Sequence, residues 1–267
     1  MLRFISFGSG SSGNCYYLST GTDGLLLDAG VAIRRLKKYL HDYDITTDSI
    51  HNILVTHDHA DHIKSVGAIS AECNIPVHTT QKVHIGIGKN YSVHKKVPFH
   101  LAHVLAKNEQ VRIGEFLVTP FSVPHDSSDN VGYRIEYDGI VFCLMTDVGH
   151  VTDEMKQYIN EANYLVLESN YDEEMLQSGN YPQYLKERIH GPNGHLSNRE
   201  CGEALANNAT DRLKHVWLCH LSEENNHPVL AQKTVEQVLR SYGIIAGKDF
   251  GFDVLKRKVA SPVFELK

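Results

Sequence analysis

Within six residues, His57-Asp58-His59-Ala60-Asp61-His62, the chain places three imidazoles and two carboxylates. Neutral imidazole with a few carboxylates suits Zn, Mn or Fe, whereas an oxygen-only set points to Mg or Ca. An extended start to the run puts His57 and His59 on one side by the two-residue alternation of a strand, where both can ligate one ion. As the chain turns toward the helical pattern after Asp61, Asp61 and His62 diverge from that direction and can serve a second ion about 3.5 to 4 Å away. Two divalent ions held this way would lower the pKa of bound water toward about 7 and polarise the oxygen of the bond under attack, which is hydrolysis without a protein nucleophile.

The elements that must position such a site show themselves at the ends of apolar runs. Leu25-Leu26-Leu27 ends in Asp28, Ile53-Leu54-Val55-Thr56 in His57, and Phe121-Ser122-Val123-Pro124 in His125. Cys143-Leu144-Met145-Thr146 ends in Asp147, Leu165-Val166-Leu167 in Glu168, and Val216-Trp217-Leu218-Cys219 in His220. Six strands would then converge on one edge. Gathering that many ionisable groups is costly unless they are paired or bound to metal. Taken singly, a strand-end His125 or His220 is an ordinary loop residue, and Asp28 or Asp147 can cap a turn; the hexapeptide supplies their context.

Apolar runs at 2–7, 16–18, 25–27, 53–55, 116–118, 140–145, 164–167 and 216–219 read as buried strands. Residues 31–43, 152–162, 173–178, 182–190, 198–208 and 228–242 mix apolar and charged residues at helical spacing, with a start signal at Ser197-Asn198. The order, strands first and then strands alternating with helices, predicts an α/β fold. No repeat, low-complexity tract or linker divides the 267 residues, so a single domain over 1–267 is expected. The five cysteines show no CxxC spacing, which suits a reducing, cytoplasmic compartment. The N-terminus lacks a long apolar stretch, and none approaches the roughly 18 apolar residues of a membrane span. A formal charge of -6 argues against a broadly basic nucleic-acid-binding surface but not against a local positive site built from metal ions.

The hexapeptide matches the HxHxDH signature of the metallo-β-lactamase superfamily, and the resemblance extends in order from Asp28 to His220. It implies a four-layer αββα sandwich with the metals at one rim. It also implies that His57, His59 and His125 hold one divalent ion, that Asp61, His62 and His220 hold the second, and that Asp147 bridges both. Asp28 would orient the histidine loop. The two carboxylate ligands leave such a site a small net positive charge, which attracts an anion.

The superfamily splits thioesters, lactams, lactones and phosphodiesters, so the metal motif fixes a mechanism and not a substrate. Glu168-Ser169-Asn170 and Gly194-His195-Leu196-Ser197-Asn198 resemble the Glu and His pair of tRNA-processing metallo-hydrolases, where the pair assists leaving-group protonation. With Phe7-Gly8-Ser9-Gly10-Ser11-Ser12-Gly13-Asn14-Cys15 and Val123-Pro124-His125-Asp126, these motifs resemble the YycJ (VicX) branch, and the resemblance implies a nuclease acting from the 5′ ends of DNA. Only about 70 residues separate Asp147 from His220, too few for the domain-sized cap of the RNA-degrading relatives. The Gly8 to Asn14 loop can offer N–H groups to a phosphate, with Ser9, Ser11, Ser12 and Asn14 as candidate contacts, or serve as a tight turn. Arg34-Arg35-Leu36-Lys37-Lys38 and His94-Lys95-Lys96 are the basic clusters that can follow a nucleic-acid backbone; the first also reads as a solvated helix face, and no aromatic stacking platform is legible near either. Two other readings stand beside the nuclease: a small-molecule thioester hydrolase resembling glyoxalase II, and a metal-binding accessory or regulatory protein. No membrane partner is expected, and the oligomeric state is left open.

Overall fold

The computed structural model describes residues 1–267, which divide into two compact units: Met1–Pro120 with Ser127–Val131 and Lys256–Lys267, and Phe121–Asp126 with Gly132–Leu255. In chain order the first contains β1 (Leu2–Gly8), β2 (Cys15–Ser19), β3 (Gly24–Leu27), α1 (Ile33–Asp42), β4 (Ile50–Leu54), α2 (Ala60–Ile63), α3 (Val66–Cys73), β5 (Val77–Thr79), α4 (Gln81–Lys89), β6 (Ala102–Val104) and β7 (Val111–Ile113). The chain passes to the second along β8 (Phe116–Ser122), followed by β9 (Val131–Tyr137), β10 (Ile140–Met145), α5 (Asp153–Glu161), β11 (Tyr164–Glu168), α6 (Glu173–Ser178), α7 (Gln183–His190), α8 (Asn198–Asn208), β12 (His215–Cys219), α9 (Pro228–Ser241) and β13 (Gly251–Val254). β14 (Phe264–Leu266) returns to pair with β1 in the first unit.

Two mixed seven-stranded sheets result, in the orders β14-β1-β2-β3-β4-β5-β6 and β13-β12-β11-β10-β9-β8-β7. β3 to β6 run parallel to one another, and so do β10 to β13. Parallel neighbours need crossover connections, which the helices supply, and their carboxyl ends lie along one edge of the sheet, where open α/β sheets build their sites. Asp28 and His57 follow β3 and β4, while Asp147, Glu168 and His220 end or follow β10, β11 and β12.

In the first unit the core sets Leu36 and Leu40 of α1, Ile69 of α3 and Val83 and Ile87 of α4 against Ile5, Tyr17, Leu26, Ile53 and Val77 of the sheet. In the second, Met155 and Ile159 of α5, Leu205 of α8 and Val235 and Leu239 of α9 cover Cys143, Leu165, Leu167, Val216 and Leu218. The central strands are buried at every residue of β2, β3 and β11. That is why they read as continuous apolar runs rather than as alternation. The helices start where side chains satisfy open N–H groups: Thr152 caps α5, Asp172 caps α6, and Ser197 with Glu200 forms a capping box on α8.

Leu165 is fully buried in β11 beneath these helices. Leu165→Ala is expected to destabilise the protein by about 2 to 5 kcal/mol in urea unfolding; a loss below about 1 kcal/mol would contradict this packing.

Candidate functional site

In the first unit, β4 ends at Leu54 and the chain continues through Thr56 and His57 to His59, the N-cap residue of α2. Asp61 and His62 therefore lie in a helical turn, while His57 precedes it in extended chain. The His57 ring lies 4.7 Å from that of His59 and 4.1 Å from that of His62, centroid to centroid. Asp61 Oδ2 is 3.6 Å from His62 Nε2. The nitrogen and oxygen donors of this group fit a divalent transition metal.

Asp28 fixes the arrangement from beneath. Its fully buried carboxylate accepts the Thr56 N–H at 2.8 Å, the Thr56 hydroxyl at 2.9 Å and His62 Nδ1 at 2.7 Å. The proton of His62 consequently sits on Nδ1, and Nε2 keeps the lone pair a metal requires. Asn14 reaches the same histidine from the glycine-rich loop. Its amide nitrogen lies 2.8 Å from His62 Nε2 and 3.2 Å from Asp61 Oδ2, and its backbone N–H donates to the Asp61 carbonyl at 2.7 Å. Ser9 is buried with its hydroxyl 3.0 Å from that of Tyr16, whereas Ser11 and Ser12 are exposed. Gly30 faces the backbone of Asp61 so closely that a Cβ there would stand 1.6 Å from the Asp61 carbonyl oxygen.

In the second unit a buried carboxylate plays the corresponding part. Glu168, the last residue of β11, is fully buried and accepts four hydrogen bonds: His195 Nδ1 at 2.9 Å and His220 Nδ1 at 2.8 Å on Oε1, and the N–H groups of Val148 at 2.8 Å and Leu196 at 3.0 Å on Oε2. Burial alone raises the carboxyl pKa, but the charge and hydrogen bond of His195 and the bond from His220 outweigh it and hold Glu168 at about 2. Asp147, Glu168, His195 and His220 present ligand atoms within 4.8 Å of one another. His125 donates Nδ1–H to the Gly194 carbonyl at 2.9 Å, and its Nε2 lies 3.6 Å from Asp147 Oδ1. Asp147 in turn accepts the Thr146 hydroxyl at 2.7 Å.

The loop carrying His195 is clamped on both sides, since His195 N–H donates to the Ile189 carbonyl and Leu196 N–H to Glu168. Asp28, Asp147 and His220, each just beyond a strand, have left-handed backbone with φ of 60°, 56° and 53°. That conformation costs a non-glycine residue on the order of 1 kcal/mol or more, and such strain collects where function sets the geometry. It takes these side chains off the alternation of their strands.

The sequence motifs contain Thr56, Thr146 and Asn170 but assign them no role; the Asn170 amide donates to the His220 carbonyl at 2.7 Å. Asp58, the remaining carboxylate of the hexapeptide, accepts from the Ser128 hydroxyl and backbone N–H. The Thr residues carried a signal, since each directly precedes a strand-end ligand candidate, but a threonine there is equally common as plain strand sequence.

Residues 24–221 match the model of the Beta-lactamase superfamily domain. The chain is 35% identical to Exodeoxyribonuclease YycJ of Bacillus anthracis over 249 residues, 93% of each chain. It is 32% identical to Exodeoxyribonuclease WalJ of Streptococcus pneumoniae strain D39 over 264 residues, 99% of this chain and 98% of that one. The metallo-β-lactamase fold protein YhfI of Bacillus subtilis superposes with a TM-score of 0.73 at 15% identity, covering 99% of this chain and 100% of that one, which shows the fold.

Two substitutions test the first unit's ligand group. Asp28→Asn turns an amide N–H toward His62 Nδ1, forcing the proton to Nε2; metal affinity, measured by competition with a chromogenic chelator, should fall about 10- to 100-fold with the far-UV spectrum unchanged. Gly30→Ala should likewise weaken metal binding by displacing Asp61, and an affinity equal to wild type would show that the backbone there yields without cost.

Proposed function

Because the chain belongs to the β-lactamase superfamily, we propose that it is a metal-dependent phosphodiesterase of nucleic acid, acting as a 5′-to-3′ DNA exonuclease in the cytoplasm. The observation that carries this reading is the near-full-length similarity, at 35% and 32% identity, to two proteins named as exodeoxyribonucleases. The Glu168–His195 pair supports it from the geometry, because a phosphodiester expels an alkoxide that needs a proton. For the compartment, the support is that all five cysteines are free and that no helix is long and apolar enough to cross a membrane.

Two divalent ions, Zn, Mn or Fe, would be held in the superfamily's order: His57, His59 and His125 around the first, Asp61, His62 and His220 around the second, and Asp147 shared. That series, spread from residue 57 to residue 220, is the reason to treat residues 1–267 as one catalytic domain. When bound, the ions supply an activated water and stabilise developing negative charge. The protein's own residues fix donors and protons. Asp28 and Glu168 keep the protons of His62 and His220 on Nδ1, so that both Nε2 atoms stay basic. Asn14 steadies Asp61 through its amide and its backbone N–H.

His195 is the proton donor in this reading. Its Nδ1 is committed to Glu168, which leaves Nε2 as the atom that hands a proton to the departing oxygen. Its side chain is 18% exposed while that of Glu168 is 0%, so only the imidazole can reach a substrate. Glu168, ionised and saturated with donors, stabilises the imidazolium and does not itself give up a proton.

Release of nucleotides from end-labelled single- and double-stranded DNA and RNA tests the proposal, with a thioester control. Asp61→Ala should abolish cleavage, and His195→Ala should lower kcat about 10²- to 10⁴-fold while metal content stays at the wild-type level. The labelled end reports polarity. Brisk thioester hydrolysis with no nucleotide released under Zn, Mn or Fe would overturn the reading.

A further inference from the structure

Residues 73–108 contain no aspartate or glutamate, yet five lysines and five histidines, in a chain with a formal charge of -6. This acid-free stretch covers β5, α4, β6 and the segments between them in the first unit. Lys82, Lys89 and Lys95 are exposed and enter none of the ion pairs of the molecule. Lys96 is anchored instead, donating to the carbonyls of Asn90 at 2.7 Å and Ile87 at 3.5 Å near the C-terminus of α4.

Two aromatic rings stand open on the same stretch: Phe99 is 96% exposed and Tyr91 is 91% exposed. Phe99 borders a pocket of about 400 Å³ whose lining also includes His84, Ile85, Ile87, Lys96 and Val104. Ile85 and Val104 are themselves half exposed. The surface abuts the histidine loop. Asn90 donates its side-chain amide to the Asp58 carbonyl at 2.9 Å, and α4 lies so close that a Cβ on Gly86 would stand 1.9 Å from Asp58 Oδ2.

Resting on the nuclease reading, we propose that this surface binds the single DNA strand that continues beyond the scissile bond, with Phe99 and Tyr91 stacking on bases and Lys82, Lys89 and Lys95 neutralising phosphates. Apolar rings interleaved with unpaired lysines match a single strand, which offers base faces and a charged backbone together. A duplex buries its base faces and leaves the rings without a partner. A second copy of this chain fits poorly, because an isologous contact through this face sets lysine against lysine. All five side chains are exposed, so their substitution does not threaten the fold.

Fluorescence anisotropy of the full-length, metal-loaded protein with a phosphorothioate-linked oligothymidylate, which resists cleavage, tests the proposal. A strand of about 16 nucleotides should bind far more tightly than a dinucleotide. Phe99→Ala should weaken the long strand about tenfold. Lys89→Glu with Lys95→Glu should weaken it further and flatten the dependence of log affinity on log salt by about 0.7 for each phosphate left without its lysine. Hydrolysis of bis(p-nitrophenyl) phosphate, too small to span the surface, should be unchanged in all these variants. Equal affinity for long and short probes, or variants that bind as wild type does, would overturn the proposal, as would a dimer in sedimentation that Phe99→Ala dissociates. If the long strand binds as expected but no phosphodiester is cleaved with any metal, the nuclease reading fails and the surface stands. Cleavage with unaltered affinity in the variants has the opposite meaning.

Discussion

Glu168 has no exposure to water and is nevertheless ionised, which is tolerable only because four N–H donors converge on its two oxygens. Two of them are histidine ring nitrogens, and satisfying the carboxylate therefore decides where two imidazoles keep their protons. The other two are backbone groups of Val148 and Leu196, one just after Asp147 and one just after His195. A single buried charge thus ties together the ends of β10, β11 and β12 and the loop before α8. Removing it would leave three elements without a common anchor, besides changing the tautomers.

Asp28 repeats the device in the first unit with different donors. Thr56 gives it a backbone N–H and a hydroxyl, and His62 gives it Nδ1–H. In both places the carboxylate lies at the end of a parallel strand, where a side chain can leave the sheet without breaking the ladder. The left-handed backbone at Asp28, Asp147 and His220 belongs to the same scheme. A strand that simply continued would send these side chains alternately to its two faces; a reversal in φ just past its end redirects them, at a conformational cost that the surrounding hydrogen bonds offset.

Charge is unevenly spread in a way that the net value conceals. The formal -6 suggests an acidic surface, but the stretch from 73 to 108 carries five lysines and no aspartate or glutamate. At physiological salt, fields from charges more than about 8 Å away are largely screened. A phosphate near Lys89 therefore responds mainly to that lysine and little to distant carboxylates.

The sequence by itself determined the elements whose local signals agree with their burial. α6 and α8 have the limits their spacing predicts, and α1, α5, α7 and α9 differ only at their ends. β3, β10, β11 and β12 lie where the apolar runs lie, and each ends in or is followed by the ionisable residue that marks it. What escaped were the short or mixed elements. β5, β6, β7 and β14 are three residues long, too short for periodicity to register. β9 carries Gly132 and Arg134 within its run, and α4 carries Gly86 and Gly88, which weaken any helix signal. α3, Val66–Cys73, is apolar or small on most sides and shows no stripe to read. The tertiary structure alone decided which nitrogen of His62, His195 and His220 holds the proton, that Asn14 turns inward to Asp61 and His62, and that Phe99 and Tyr91 remain uncovered. Each of these depends on what a distant segment places opposite the side chain, and the residue's own neighbours in the chain carry no record of that.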